Sequence, residues 1–176
     1  EGFVDASGDA AVVWLAGLPV KEPVDPIYGT QVVLIEGFDE GAAASIDRWE
    51  MQDHLARKAD EYGLIRKDGF VFTFPGHGIA LANMTHIPTP LDPIGYSDTV
   101  FEGRDQADRL MAFLKTEYAD AYGSARVRAY PAPGIRQTRW IAGCYSLLAE
   151  DVRSGTIFDD AVARCSWPIE LHNASE

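Results

Sequence analysis

A chain of 176 residues, 47% hydrophobic and 24% charged, has the make-up of one globular domain with a sizeable core, and that excludes a disordered chain. Its formal net charge of −12 leaves no basic stripe to neutralise phosphates, so a nucleic-acid partner is not expected. No apolar run is long enough to span a bilayer and no secretory leader pattern is visible, so no membrane partner is expected, and the use of only two cysteines makes cytoplasmic residence the default.

The chain starts at Glu1 without Met, which reads as a processed, trimmed or fragmentary product. Phe3 to Ala6 reads as a short strand and Ser7-Gly8-Asp9 as a tight turn. Ala10 to Ala16 follows as a helix closed by Gly17 and Pro19. A strand that delivers a glycine to a helix start is a natural place for a phosphate or a ribityl chain, but such turns are common.

Lys21 to Gly29, rich in proline and polar residues, reads as a crossing segment. Thr30 to Ile35 reads as a strand, Glu36 to Gly41 as a loop and Ala42 to Tyr62 as one helix. Met51, Leu55, Ala59 and Tyr62 recur at helical spacing before Gly63. Asp47, Glu50 and His54 share another face, expected to be solvated and not metal-binding.

Gly69 to Phe74 and Ile79 to Met84 read as a hairpin. Its turn, Pro75-Gly76-His77-Gly78, is a poor dinucleotide fingerprint because Leu81 stands where a third glycine belongs. Asn83 and Thr85 alternate with Met84 and face one side together. They either touch a substrate or satisfy turn backbone. Ile87 to Gly95 reads as a proline-rich loop. Ser97 or Asp98 then caps a helix whose apolar face runs from Val100 through Leu110 and Leu114 to Tyr118.

Ala125 to Tyr130 alternates as a strand. It feeds Gly134 to Arg139, which reads either as an extended strand, with Arg136 and Arg139 on opposite faces, or as a turn or bulge on which both converge; Trp140 to Gly143 and the stretch to Leu147 read as strands. A helical turn at Glu150 to Val152, a helix over Phe158 to Ala163 and a strand over Trp167 to His172 complete the chain. Arg136 and Arg139 carry the guanidinium fork that suits carboxylate or phosphate; pairing with acidic neighbours is the other reading. Cys144 and Cys165 form no CxxC or metal pattern and read as buried free thiols, a disulfide being the other reading. The expected core comprises Leu110, Leu114, Phe113 or Met111, Val127, Trp140, Ile141, Leu147, Val162 and Ile169. The fold class expected from this order is α+β, a mixed sheet with helices.

Several stretches carry a resemblance. Gly134-Ile135-Arg136-Gln137-Thr138-Arg139, Gly143-Cys144-Tyr145-Ser146-Leu147, Glu150-Asp151-Val152, Phe158 to Ala163 and Trp167 to His172 occur in order. Asp5-Ala6-Ser7-Gly8-Asp9, Asn83 to His86 and Glu102-Gly103-Arg104 precede them. Together they resemble the family of FAD-dependent oxidoreductases with a two-dinucleotide-binding-type flavin domain.

The resemblance implies the substrate (cap) region of a Rossmann-type flavoprotein plus one edge of its flavin domain. Residues 1–20 would form that edge, 21–140 the substrate domain and 141–176 the return towards the flavin domain. It implies FAD as cofactor, held along Asp5, Ser7, Gly8 and Asp9. It also implies a hydride passed to the flavin from a small substrate, an anionic one if arginines hold it. A base near its working pKa is by default a histidine, and His172, ending the last strand, is the candidate. Arg139 and Arg136 would orient substrate or stabilise charge on its oxygen, with Tyr145, Asn83 and Thr85 as further substrate contacts. No metal is expected.

The family's N-terminal glycine fingerprint is missing. A second polypeptide completing the flavin domain is therefore one expected partner. A non-catalytic or partner-dependent domain without its own cofactor is the alternative. A hydrolase lacks both a Gly-x-Ser-x-Gly elbow and a paired-histidine metal motif.

Overall fold

Val33 and Ile35 put two branched apolar side chains on one face of a strand, and the core is built over them. The computed structural model describes residues 2–24, 27–136, 138–167 and 169. In it, β2 (Val33–Glu36) is flanked by β4 (Ile79–Asn83) and β5 (Arg126–Ala129), and β3 (Phe70–Phe74) adds to β4. The sheet order is β3-β4-β2-β5, with every pairing antiparallel. The fold is α+β, as expected.

One face of this sheet, carrying Val33, Ile35, Ala80 and Ala82, is fully buried under two helices. These are α3 (Arg48–Tyr62), presenting Met51, Leu55 and Ala59, and α4 (Pro93–Glu117), presenting Ala107, Leu110, Phe113 and Leu114. The expected periodicities on both helices and the β3–β4 hairpin hold. Gly63 closes α3 in the left-handed region, at φ 65°. Its carbonyl accepts from Gln106 Nε2 and Arg109 Nη1 of α4, which ties the two helices together.

The boundaries differ where side chains redirect the backbone. Thr30 and Gln31 stay out of β2 because Thr85 Oγ1 accepts the Gln31 N–H at 3.0 Å and donates to the Gln31 carbonyl at 2.8 Å. The expected Ala42–Tyr62 helix is two helices. A short α2 (Glu40–Ala44) starts inside the expected loop, capped by Asp39. Asp47, in extended conformation, then caps α3 through the N–H groups of Trp49 and Glu50. Helix α4 starts at Pro93, not at Ser97 or Asp98, because Asp92 caps it and proline suits its first turn. A final short turn, α5 (Ala119–Tyr122), leads into β5.

The two ends of the chain carry less regular structure than expected. Helix α1 (Ala11–Leu15) forms, and α6 (Ala149–Ser154) forms at the expected helical turn. Between them, β1 (Val20–Lys21) pairs antiparallel with β6 (Trp140–Ile141). Phe3 to Ala6 and Gly143 to Leu147 are not strands, and Phe158 to Ala163 is not a helix. Short segments need a burying surface to hold regular structure, and these are exposed. Ile141, Leu147, Val162 and Ile169, expected in the core, are also exposed, while Val127 and Trp140 are half-buried. Cys144 and Cys165 are free and exposed, not buried. Of the expected Trp167–His172 strand, Trp167 and Ile169 are exposed and non-strand; Pro168 and Glu170 to His172 lie outside the described residues. Among the described residues no helix is long and apolar enough to cross a membrane.

Candidate functional site

The first motif folds on itself. Asp5 Oδ1 accepts from the Ser7 N–H at 3.0 Å and from the Ser7 hydroxyl at 2.7 Å, and Asp5 Oδ2 accepts from the Val13 N–H at 3.1 Å. Ser7 Oγ in turn accepts from the Ala11 N–H at 2.9 Å. These donors, the Ser7 hydroxyl foremost, hold the Asp5 carboxyl below the usual carboxylate range. They also fix Gly8 at φ 83° and Ala10 at φ 50°, a left-handed conformation uncommon for a residue with a side chain. A Cβ added at Gly8 would meet nothing within 4 Å, so open space lies beside it.

Asp9 ties this loop to the arginine block. Its Oδ1 accepts from the buried Thr138 N–H at 2.7 Å and from the Thr138 hydroxyl at 3.0 Å. The next residue, Arg139, leads into β6, and β6 pairs with β1 so that Lys21 stands opposite Trp140. The result is a cleft of about 700 Å³. Asp5, Gly8 and Ala10 line one side, Lys21 and Arg139 to Ile141 the next, and Tyr145 to Leu147 the third.

Arg139 is held but not satisfied. Its side chain is 12% exposed, and its guanidinium lies over the Trp14 ring at 4.6 Å from the centroid. Its Nε is buried and lacks a hydrogen-bond partner among the described residues; Glu22 Oε1, at 3.9 Å, is beyond hydrogen-bonding distance. Lys21 Nζ donates to Ser146 Oγ at 2.9 Å. The Tyr145 hydroxyl donates to Asp151 Oδ2 at 2.7 Å, and that bond raises the Tyr145 pKa. The same carboxylate caps α6 through the Leu148 N–H.

Two cations, two hydroxyls and the apolar Trp140, Ile141 and Leu147 around one cleft, with the Asp5 carboxylate turned to its own loop, suit a ligand with anionic oxygens and an apolar body. The cleft thus joins Asp5, Gly8, Arg139 and Tyr145, residues singled out from opposite ends of the sequence. It does not join all of them. Ser7 and Asp9 act through the loop and the Thr138 clamp. Arg136 is half-buried and outside the lining. Thr85 is fully buried with its hydroxyl engaged by Gln31, and Asn83 Oδ1 accepts from Arg66 Nη1 at 3.1 Å. His172 lies outside the described residues. Lys21, Trp14 and Ser146 were not anticipated. Lys21 reaches the cleft through the β1–β6 pairing, which two-residue strands do not announce, and meets Ser146 there.

A second, polar cleft lies between α3 and α4. Glu117 accepts there from the Tyr62 hydroxyl and pairs with His54 Nε2, each at 2.7 Å. The Tyr62 hydroxyl, then His54, hold the Glu117 carboxyl below its usual range. No group of three or more metal-binding side chains occurs among the described residues, so this cleft reads as a helix–helix tie.

Comparison with curated proteins found no match, and comparison with solved structures found none either. The family model described as FAD dependent oxidoreductase matches residues 1–176, the whole chain, and the chain belongs to that family, whose cofactor is FAD.

Proposed function

We propose that this chain is the substrate-side part of an FAD-dependent oxidoreductase, and that the cleft between Asp5–Ala10 and Arg139–Leu147 meets both the flavin edge and a small anionic substrate. The observation that carries this is the pair of incompletely satisfied cations, Lys21 and Arg139, on a cleft clamped to the Asp5–Asp9 motif. FAD, when bound, supplies the hydride acceptor. Gly8 leaves the backbone open to close approach there. Arg139 orients the anionic group of the substrate, Arg136 braces the segment, and Tyr145 offers a hydroxyl held by Asp151. In this proposal His172 takes the proton that leaves with the hydride.

The proposal assigns residues 21–140 to the substrate domain and residues 1–20 and 141–176 to the flavin side. Its support is the way the chain crosses between them. Val20 and Lys21 run beside Ile141 and Trp140, Thr30 bridges to Gly134, and Gly29 bridges to Ile87. Asn83 and Thr85 then serve to anchor the crossing through Arg66 and Gln31. The exposed free thiols Cys144 and Cys165 suit a reducing compartment such as the cytoplasm.

A second reading, a partner-dependent domain without its own cofactor, draws on the exposed apolar flanks: Phe3 is 96% exposed and Val162 fully so. The test is to purify the chain, read the visible flavin band and weigh any co-purifying polypeptide. Flavin on the chain, alone or with a second polypeptide, supports the catalytic reading. A chain that takes up no flavin even with FAD added supports the second.

A further inference from the structure

Building on the cleft reading above, we propose that Lys21 joins Arg139 in a two-cation seat for anionic oxygens, phosphate or carboxylate, and that Lys21 leaves Ser146 to reach its ligand. Lys21 has no ion-pair partner among the described residues, in a chain with 27 acidic side chains. Its ammonium is spent on the neutral hydroxyl of Ser146 at 2.9 Å. The neighbouring Arg139 has a buried Nε without a hydrogen-bond partner among the described residues, and among these Glu22 Oε1 lies 3.9 Å from it. Lys21 stands opposite Trp140 across the β1–β6 pair, and Lys21 and Arg139 both line the one cleft.

Among the described residues the one carboxylate on that lining, Asp5, already accepts from Ser7 and Val13, so it is not arranged as a partner for either cation. Exchanging the Ser146 hydroxyl for an anionic oxygen replaces a neutral acceptor with a charged one, so the ammonium gains a direct charge pair in addition to its hydrogen bond. Lysine suits this movement because its ammonium is a point charge on a flexible stem, while the arginine fork stays fixed on Trp14.

Two sources supply such oxygens, the diphosphate of FAD and the carboxylate of a substrate. Calorimetric titration of the full chain with FAD, riboflavin, pyrophosphate and acetate separates them. Lys21→Met is expected to weaken the anionic probe about tenfold or more, Lys21→Arg to restore most of it, and Ser146→Ala to leave it unchanged or tighter. Losses confined to FAD and pyrophosphate, with riboflavin unaffected, assign the seat to phosphate; a loss confined to acetate assigns it to carboxylate. Wild-type affinity for every probe in Lys21→Met overturns the seat, as does a wild-type chain that binds neither pyrophosphate nor acetate. The flavin reading is overturned by a different result, the failure of both FAD and riboflavin to bind.

Discussion

Arg139 is the residue on which the cleft turns, because three features of its surroundings pull in different directions. Trp14 holds its guanidinium by a cation–π contact, Glu22 sits just too far for a hydrogen bond, and its Nε is buried without a described partner. Such an arrangement is stabilised when an anion completes it. Arg139→Lys removes the fork and weakens the stack on Trp14, so affinity for an anionic ligand should fall by roughly 1.5–3 kcal/mol, measured by titration. Equal affinity in that variant would return Arg139 to a structural role. Gly8 gives a second check. Gly8→Asn tolerates the left-handed backbone while adding a side chain to the open space, so flavin uptake should drop with no loss of fold in circular dichroism. At this scale the sequence was partly legible. The Gly134–Arg139 run and the Asp5–Asp9 motif marked themselves by residue type. Lys21 and Trp14 did not, because each acts through a contact with a distant segment.

At the scale of elements, carboxylates placed just outside the regular structure decide where it starts and stops. Asp39, Asp47 and Asp92 each take helix-start N–H groups. Asp47→Ala should cost about 1 kcal/mol of stability by chemical denaturation. Glu40 does the same for a hairpin: its carboxylate accepts from the N–H groups of Gly76 at 2.8 Å and Gly78 at 2.6 Å. The Gly76 bond, then the Gly78 bond, hold the Glu40 carboxyl below its ordinary 4.5. Because its folded value is the lower one, the contribution is complete above the ordinary value and is lost as pH falls through the folded value. Glu40→Gln sets an amide N–H₂ against one of these donors. It should lower stability at neutral pH, speed amide exchange at Gly76 and Gly78, and leave little difference from wild type in acid. The hairpin was legible from its alternation and glycine turn. The break between α2 and α3 was not, since Ser45 to Asp47 interrupts a run that is otherwise helical in composition. The start of α4 was hidden by prolines that read as loop, although Asp92-Pro93 is a good helix opening.

The whole molecule divides by burial. Every member of the packed core cluster falls between Val33 and Ala125. The flanks hold large exposed apolar side chains, among them Phe3, Val4, Leu15, Leu147, Ile157, Val162 and Trp167, and none of the buried cluster, whereas the central segment has exposed apolar side chains such as Ile94 and Phe101 on its outer faces as well as the buried cluster. This explains which core expectations failed. Leu110, Phe113 and Leu114 repeat on a long helix whose spacing declares its buried face, whereas Leu147, Val162 and Ile169 are apolar without a described surface to bury them. Truncating Leu110 to alanine should therefore cost about 2–5 kcal/mol, and truncating Val162 no more than about 0.5 kcal/mol. The same division predicts that residues 20–141, closed by the β1–β6 pairing, fold without the flanks. The excised segment keeps the four-stranded sheet, both long helices and the bridges at Gly29 and Thr30. It loses the Asp9–Thr138 clamp, leaving the Thr138 N–H in need of water, a local cost beside a core that stays whole. Circular dichroism and urea unfolding should show one cooperative transition close to that of the full chain. A segment that unfolds without a cooperative transition would mean that the flanks hold up the core, and the boundary drawn through β1 and β6 would have to be abandoned.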